Sequence, residues 1–271
     1  VEFTALFAEL IAAEALMLKL FLGGIFGLCL GLTGVGGGVL LIPMLQRCCD
    51  MPPVLAVGTA SLIATMVKVN ASIAHVKAKN VSWKTVSMLF VGALPLTYSV
   101  TQLVVYFNSH HLYANITQQV VTTLILLIMV VSLISVLLKS RKNKTQSLIH
   151  IEQPLASKKA LLSGVFCGSI IGSTGVGGGV LLIPILNSVL NVNIKKSIGS
   201  SVILALFLSG VTALGYAKGG QTDVTTALIF LTGSFLGVPV ASHLMKKLSD
   251  NSIYKITISV IFVSLLFYTL T

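Results

Sequence analysis

Charge is what this sequence has least of. Only 9% of its 271 residues are charged, against about 25% in an ordinary soluble domain. That leaves too little polar surface to cover a water-facing globule. Acids are the scarcer sign: Glu2, Glu9, Glu14, Asp50, Glu152, Asp223 and Asp250 are all there are, and none lies deep within a long apolar run. This excludes a carboxylate proton relay, a buried cation site and a catalytic carboxylate dyad, and no HExxH stretch exists to bind a catalytic metal. Cysteines number four (Cys29, Cys48, Cys49, Cys167), with no CxxC spacing and no histidine cluster beside them. A zinc site is therefore not expected, nor any other metal or cofactor, and no catalytic residues are assigned.

What is present is apolar. Mean hydropathy is +0.98, and long apolar runs recur at Pro53–Ala74, Val86–Phe107, Ile116–Leu138, Ile198–Ala217, Thr225–Leu244 and Ile253–Leu270. Each is close to the ~20 residues with which an α-helix crosses a hydrocarbon core of ~30 Å. The fold class is all-α and integral to the lipid bilayer. The net charge of +11 would suggest nucleic acid in a soluble protein. Here lysine and arginine accumulate in loops because they set membrane orientation, and no nucleic-acid-reading motif accompanies them.

The chain is also a tandem duplication. "TGVGGGVLLIP" runs from Thr33 to Pro43 and again from Thr174 to Pro184, 141 residues on. At the same offset Gly23, Gly27 and Gly31 match Gly164, Gly168 and Gly172, and Gly58-Thr59-Ala60 matches Gly199-Ser200-Ser201. The first repeat covers 16–138 and the second 159–271. Between them, residues 139–158 form a basic polar linker, and residues 1–15 precede the repeats as a peripheral helical segment carrying Glu9 and Glu14.

Each repeat opens with two apolar pieces, Leu20–Leu32 and Val39–Gln46, then Ala160–Ile171 and Val180–Val192. At 1.5 Å per residue each spans ~20 Å or less, so each is too short to cross alone. The pair could form one broken helix or a re-entrant hairpin. With a re-entrant pair and three crossing helices per repeat, 14 of the 18 basic residues fall on the linker's side, taken as the cytoplasm. A crossing pair would move Lys195, Lys196, Lys246, Lys247 and Lys255 outside, against the positive-inside rule. Three crossings is an odd number, so the second repeat is inverted relative to the first. The two glycine turns then enter from opposite faces and meet near the midplane, where inverted-repeat transporters place their substrate.

The turns suit an anion. Gly36-Gly37-Gly38 and Gly177-Gly178-Gly179 directly precede "VLLIP". If that run is helical, free N–H groups at its start carry partial positive charge and the missing Cβ atoms admit a small oxyanion. Thr33 and Thr174 add hydroxyl donors, and Thr59, Ser200 and Ser201 could complete the shell. Against this stands simple close packing of helices through small residues. Lys68, inside the run Pro53–Ala74 and matched by Ser209, is either an intramembrane anion ligand or a side chain that snorkels to the interface. His75, which follows that run on the same helix, reads as a boundary residue.

These repeated motifs resemble those of the sulfite exporter TauE/SafE family, sulfonate-permease-like membrane transporters with duplicated "GxGGGxLxxP" segments. The resemblance rests on Gly34–Pro43, Gly175–Pro184 and the "VGTAS" segment that ends at Ser61, and it spans 16–271. It implies a transporter for a small sulfur oxyanion or organosulfur anion (sulfite, thiosulfate or a sulfonate) in a bacterial-type inner membrane, and not an enzyme. An anion channel using the glycine turns as its filter, or a non-transporting membrane subunit, are the other readings. Direction of transport, coupling ion and oligomeric state are left open, a homo-oligomer included.

Overall fold

The structure, a computed structural model, describes residues 2–33, 38–142, 157–175, 179–245, 247 and 250–269. All regular structure among them is helical. In chain order it comprises α1 (Glu2–Thr33), α2 (Gly38–Cys48), α3 (Pro53–Lys77), α4 (Trp83–Ser109), α5 (His111–Lys142), α6 (Ser157–Thr174), α7 (Gly179–Pro184), α8 (Ile194–Lys218), α9 (Val224–Met245) and α10 (Asp250–Thr269). α7 runs on into a π-helical turn, Ile185–Val189.

Among the described residues, six stretches are long and apolar enough to cross a membrane: Glu14–Leu32, Pro53–Lys77, Trp83–Ser109, His111–Ile134, Lys196–Lys218 and Val224–Ala241. Five of these are the runs expected from sequence. The sixth expected run falls in α10, whose apolar part, Ile258–Thr269, is shorter. Its place is taken by part of α1. There the sequence reading separates a peripheral segment, 1–15, from a short piece beginning at Leu20, whereas the structure makes 2–33 one helix of 32 residues. Glu14 and Lys19 are charged but neither is a helix breaker. Lys19 also finds a partner, its ammonium donating to Thr226 Oγ1 at 2.8 Å.

The duplication is written into the backbone. Asp50 and Asn191, 141 residues apart, both have positive φ (50° and 53°), and so do Lys79 and Gly220 (54° and 68°). The two repeats exchange helices. α1 of the first packs on α9 of the second through Gly23, Gly27 and Gly31, where an added Cβ would run into Phe230, Ser234 and Ala241. α6 of the second packs on α4 of the first through Gly164, Gly168 and Gly172, against Leu89, Ala93 and Thr97. The matched neighbours are again 141 apart: Leu89 with Phe230, Ala93 with Ser234. In both pairs the numbers rise together, so the helices run parallel. Lipid gives little hydrophobic drive to helix pairing, and close backbone approach through small residues supplies van der Waals contact instead.

The central pair, α3 and α8, runs the other way. Gly58 packs against Tyr216, the Thr65 and Ser209 hydroxyls meet at 3.1 Å, and Gly199 packs against His75. α3 and α8 are repeat equivalents, and they are antiparallel. Two apolar clusters flank this pair. One gathers α2, α3 and the buried faces of α5 and α10 around Phe26, Tyr216 and Phe230, and the other gathers α4, α6, α7 and α8 around Leu89, Ile171 and Leu204.

Candidate functional site

In the α3–α8 register the partner numbers fall as the α3 numbers rise. Equivalent residues face each other where the partners are 141 apart, which puts the crossing point between Met66 and Val67 on α3 and between Phe207 and Leu208 on α8. Lys68 lies within one turn of it and is 7% exposed, whereas Val69 on the neighbouring face is 43% exposed. The side chain is therefore turned into the protein, and snorkelling to an interface does not describe it.

Lys68 belongs to a buried stripe. Val57, Ser61, Ala64, Lys68 and Ser72 are all buried at helical spacing, one above another on a single face of α3. The corresponding positions on α8 are Ile198, Val202, Ala205, Ser209 and Ala213. Of these Ala205, Ser209 and Ala213 are buried, Val202 is half-buried and Ile198 is exposed, and the α3 face carries a cation and two hydroxyls against the single hydroxyl of Ser209 on α8. The Ser61 hydroxyl donates to the Val57 carbonyl at 2.8 Å. Ser61 and Ser72 escaped the sequence reading because a serine on an apolar helix carries no signal until its face is known.

The second glycine turn opens against the same stripe. Gly175 ends α6 with φ of 61°, its N–H donating to the Ile171 carbonyl at 2.8 Å, the left-handed cap that glycine takes most readily. A Cβ here would meet Ser61 Oγ and the Val57 backbone, so both conformation and space call for glycine. The last carbonyls of α6 are satisfied by a residue that the sequence reading did not single out: the Tyr216 hydroxyl, fully buried on α8, donates toward Gly172 O at 3.1 Å and Ser173 O at 3.3 Å. Thr174 is buried, with its hydroxyl donating to the Ile170 carbonyl at 2.6 Å.

Val57 and Ser61 are about five to ten residues from the crossing point, so Gly175, at the end of the 18-residue α6, sits about 10 Å along α3 from it. Gly177 and Gly178 of this turn, and Gly36 and Gly37 of the first, lie outside the described residues. Thr33 and Gly179 are described as the last residue of α1 and the first of α7. Gly38, buried, begins α2, whose Val39 carbonyl accepts from the Ser264 hydroxyl at 2.8 Å.

The remaining candidates have structural tasks. Thr59 Oγ1 accepts the Asp223 N–H at 3.0 Å, just ahead of α9, and Ser200 Oγ accepts the Ser82 N–H at 2.9 Å, just ahead of α4. Both bonds link equivalent positions, 59 with 200 and 82 with 223, one tying α3 to the start of α9 and the other tying α8 to the start of α4. Ser201 donates to the Ile198 carbonyl of its own helix at 2.8 Å. These hydroxyls are taken up by the joint between the repeats, and none of them gathers beside Lys68.

A second polar cluster marks the end of the bundle where α9 starts. Asp223 accepts the Thr226 hydroxyl at 2.6 Å and the Thr226 N–H at 2.9 Å, while Lys19 donates to that same hydroxyl. Partial burial pushes the Asp223 carboxyl up, but the Thr226 bonds and the Lys19 charge outweigh it and hold the group below its ordinary value. Burial raises the Cys49 thiol, which also feels the charges of Lys19 and Asp223. Among the described residues, no group of three histidine, cysteine or acidic side chains could hold a metal ion.

Comparison with known proteins agrees with a transport membrane protein. A family model described as "Sulfite exporter TauE/SafE" matches residues 19–268. The probable membrane transporter protein YjnA of Bacillus subtilis (strain 168) is 30% identical over 252 residues, covering 91% of this chain and 97% of the relative. A probable membrane transporter protein of Haemophilus influenzae is 25% identical over 256 residues, 90% and 91% of the two chains. One of Xylella fastidiosa (strain Temecula1) is 26% identical over 240 residues, 87% of each. No solved structure matches.

Proposed function

Because this integral membrane chain belongs to the sulfite exporter TauE/SafE family, a family of membrane transporters, we propose that it carries a small sulfur-containing anion such as sulfite, thiosulfate or a sulfonate. The observation that carries this reading is Lys68, a cation buried within one turn of the point where the two repeats cross. A charge at that depth is expensive and marks a ligand pathway, and its sign selects an anion. The glycine motifs supplement it: Gly36, Gly37 and Gly38 after Thr33, and Gly177, Gly178 and Gly179 after Thr174, lead in sequence into α2 and α7, and N–H groups at a helix start suit an anion.

The repeats, 16–138 and 159–271, are read as inverted in the membrane of a bacterial-type cell, with the linker 139–158 cytoplasmic. Support comes from the antiparallel α3–α8 pair: equivalent membrane-crossing helices that run in opposite directions belong to halves of opposite orientation. A re-entrant α1–α2 pair is supported by the length of α2, whose 11 residues span about 17 Å and fall short of a hydrocarbon core. Alternating access then amounts to rocking about the crossing point, beside which Lys68 lies. No enzymatic step is assigned.

The test is flux in proteoliposomes, with sulfite, thiosulfate, taurine and sulfate offered in turn. Saturable uptake with counterflow is expected, and conductance without counterflow would instead identify a channel. Lys68→Met should lower the affinity for the transported anion at least tenfold, and unchanged transport of every anion in that variant would remove Lys68 from the site.

A further inference from the structure

We infer that Ser72 is the second side-chain ligand of the anion, donating a hydrogen bond to one of its oxygens while Lys68 holds its charge. This rests on the reading of Lys68 as the anion's cationic partner. Three observations lead to it. The first is position: Ser72 is one turn beyond Lys68 on the same buried face of α3, 6% exposed. Side chains four apart on a helix have Cβ atoms about 5–6 Å from each other. That spacing lets an ammonium and a hydroxyl bracket one sulfonate- or sulfite-sized group.

The second is that its hydroxyl has no hydrogen-bond partner. Buried hydroxyls on apolar helices ordinarily donate back to the preceding turn, as Ser61, Thr65, Ser173, Ser209 and Thr212 all do here. Ser72 does not, and a buried hydroxyl left without a partner is unfavourable, more so where no water can replace it. A polar group kept in that condition is explained by a ligand that pairs with it when bound.

The third comes from the duplication. The equivalent of Ser72 is Ala213, 4% exposed, so the same packing position accepts a bare methyl group and the hydroxyl is not needed to fill it. The equivalent of Lys68 is Ser209. The ammonium and the unpartnered hydroxyl are thus additions to the same repeat, one turn apart on the same face. Their shared chemistry fits an oxyanion with at least two exposed oxygens and one charge to neutralise. A monatomic anion would use the lysine alone.

The experiment is uptake of radiolabelled sulfite and thiosulfate by the full chain in proteoliposomes, alongside its melting temperature in detergent. Ser72→Ala should raise KM for both anions about tenfold, as for loss of one hydrogen bond to a charged group. Its melting temperature should hold or rise, because an unpaired buried hydroxyl has been removed. Ser72→Thr, which keeps the hydroxyl, should restore most of the affinity. Unchanged KM in Ser72→Ala with lost affinity in Lys68→Met overturns the inference and leaves the lysine site standing. Unchanged uptake in both variants, or no uptake of any sulfur anion by the wild type, overturns the reading beneath it as well. A lowered melting temperature that accompanies the KM change and persists in Ser72→Thr makes Ser72 a packing residue, which equally overturns the proposal.

Discussion

At the scale of single residues, the charged groups divide by what surrounds them. Lys68 stands out in the sequence as a cation within an apolar run, but a long side chain on a membrane helix has two outlets, lipid headgroups or the protein interior. Only the packing of α3 on α8 decides for the interior. Asp223 behaves differently. In the sequence it is one of seven acids, and in the structure it fixes the start of α9, with Thr226 bonding its carboxylate and Lys19 nearby. Its folded pKa is depressed, so the stabilisation is present above the ordinary carboxylate value of about 3.9 and is lost as pH falls through the lower, folded value. The melting temperature should therefore drop as pH is taken below about 4. Asp223→Asn should melt lower at neutral pH and show a flatter acid limb. A variant whose acid limb matches the wild type would assign that loss to other groups. Because the carboxylate is only partly buried, the effect is a modest one.

At the scale of elements, the glycines of α1 and α6 do the work that large apolar side chains do in soluble proteins. They are spaced four apart, so they share a face, and the helix opposite comes close enough that a methyl group has nowhere to go. Gly27 and Gly24 make a controlled comparison within one helix. A Cβ at Gly27 would lie 2.6 Å from the Ser234 carbonyl oxygen and 2.7 Å from its Cα, while one at Gly24 would find its nearest neighbour at 3.7 Å, an ordinary contact. Gly27→Ala must push α1 and α9 apart, which should destabilise by about 1–3 kcal/mol. Gly24→Ala should be neutral or slightly stabilising, since alanine is the better helix former. Thermal unfolding in detergent reads both, and equal melting temperatures for the two variants would refute the close approach. The same helices show why pieces that look short in the sequence are longer in space. Nothing at Glu14 or Lys19 interrupts α1, and helix continuity is decided by breakers, not by the polarity of individual positions.

At the scale of the whole molecule, the two repeats are joined as partners, each lending its first helix to the other repeat. The pairings α1–α9 and α6–α4, with the bonds Thr59–Asp223 and Ser200–Ser82, are equivalent pairs related by the same offset. A reciprocal exchange of this kind is the mark of a two-fold relation, as in isologous dimers. With α3 and α8 antiparallel, the expected consequence is opposite membrane orientation of the halves. Cysteines introduced at Lys158, in the linker region, and at Lys247, after α9, should both react with an impermeant thiol reagent from the cytoplasmic side alone. Labelling of the two from opposite sides would end the inverted arrangement. Among the described residues none of the native cysteines forms a disulfide, so a background lacking them is needed for that experiment.

The sequence by itself determined the solvent, the duplication and the places of most crossing helices, because hydropathy, a letter-for-letter repeat and helix length are local properties of the chain. It also picked out Lys68, since a charge among apolar residues is visible without neighbours. Tertiary structure alone decided which hydroxyls are occupied. Thr59 and Ser200 read as candidate ligands in the sequence, and they hold backbone N–H groups of the other repeat because helices distant in the chain cross at those points. Ser61 and Ser72 were invisible for the converse reason: a serine says nothing until the face it shares with Lys68 is known. The level of the second glycine turn was likewise a matter of packing. Where α6 ends relative to α3 depends on how far its glycines let it slide along α4, and no window of the sequence contains both surfaces.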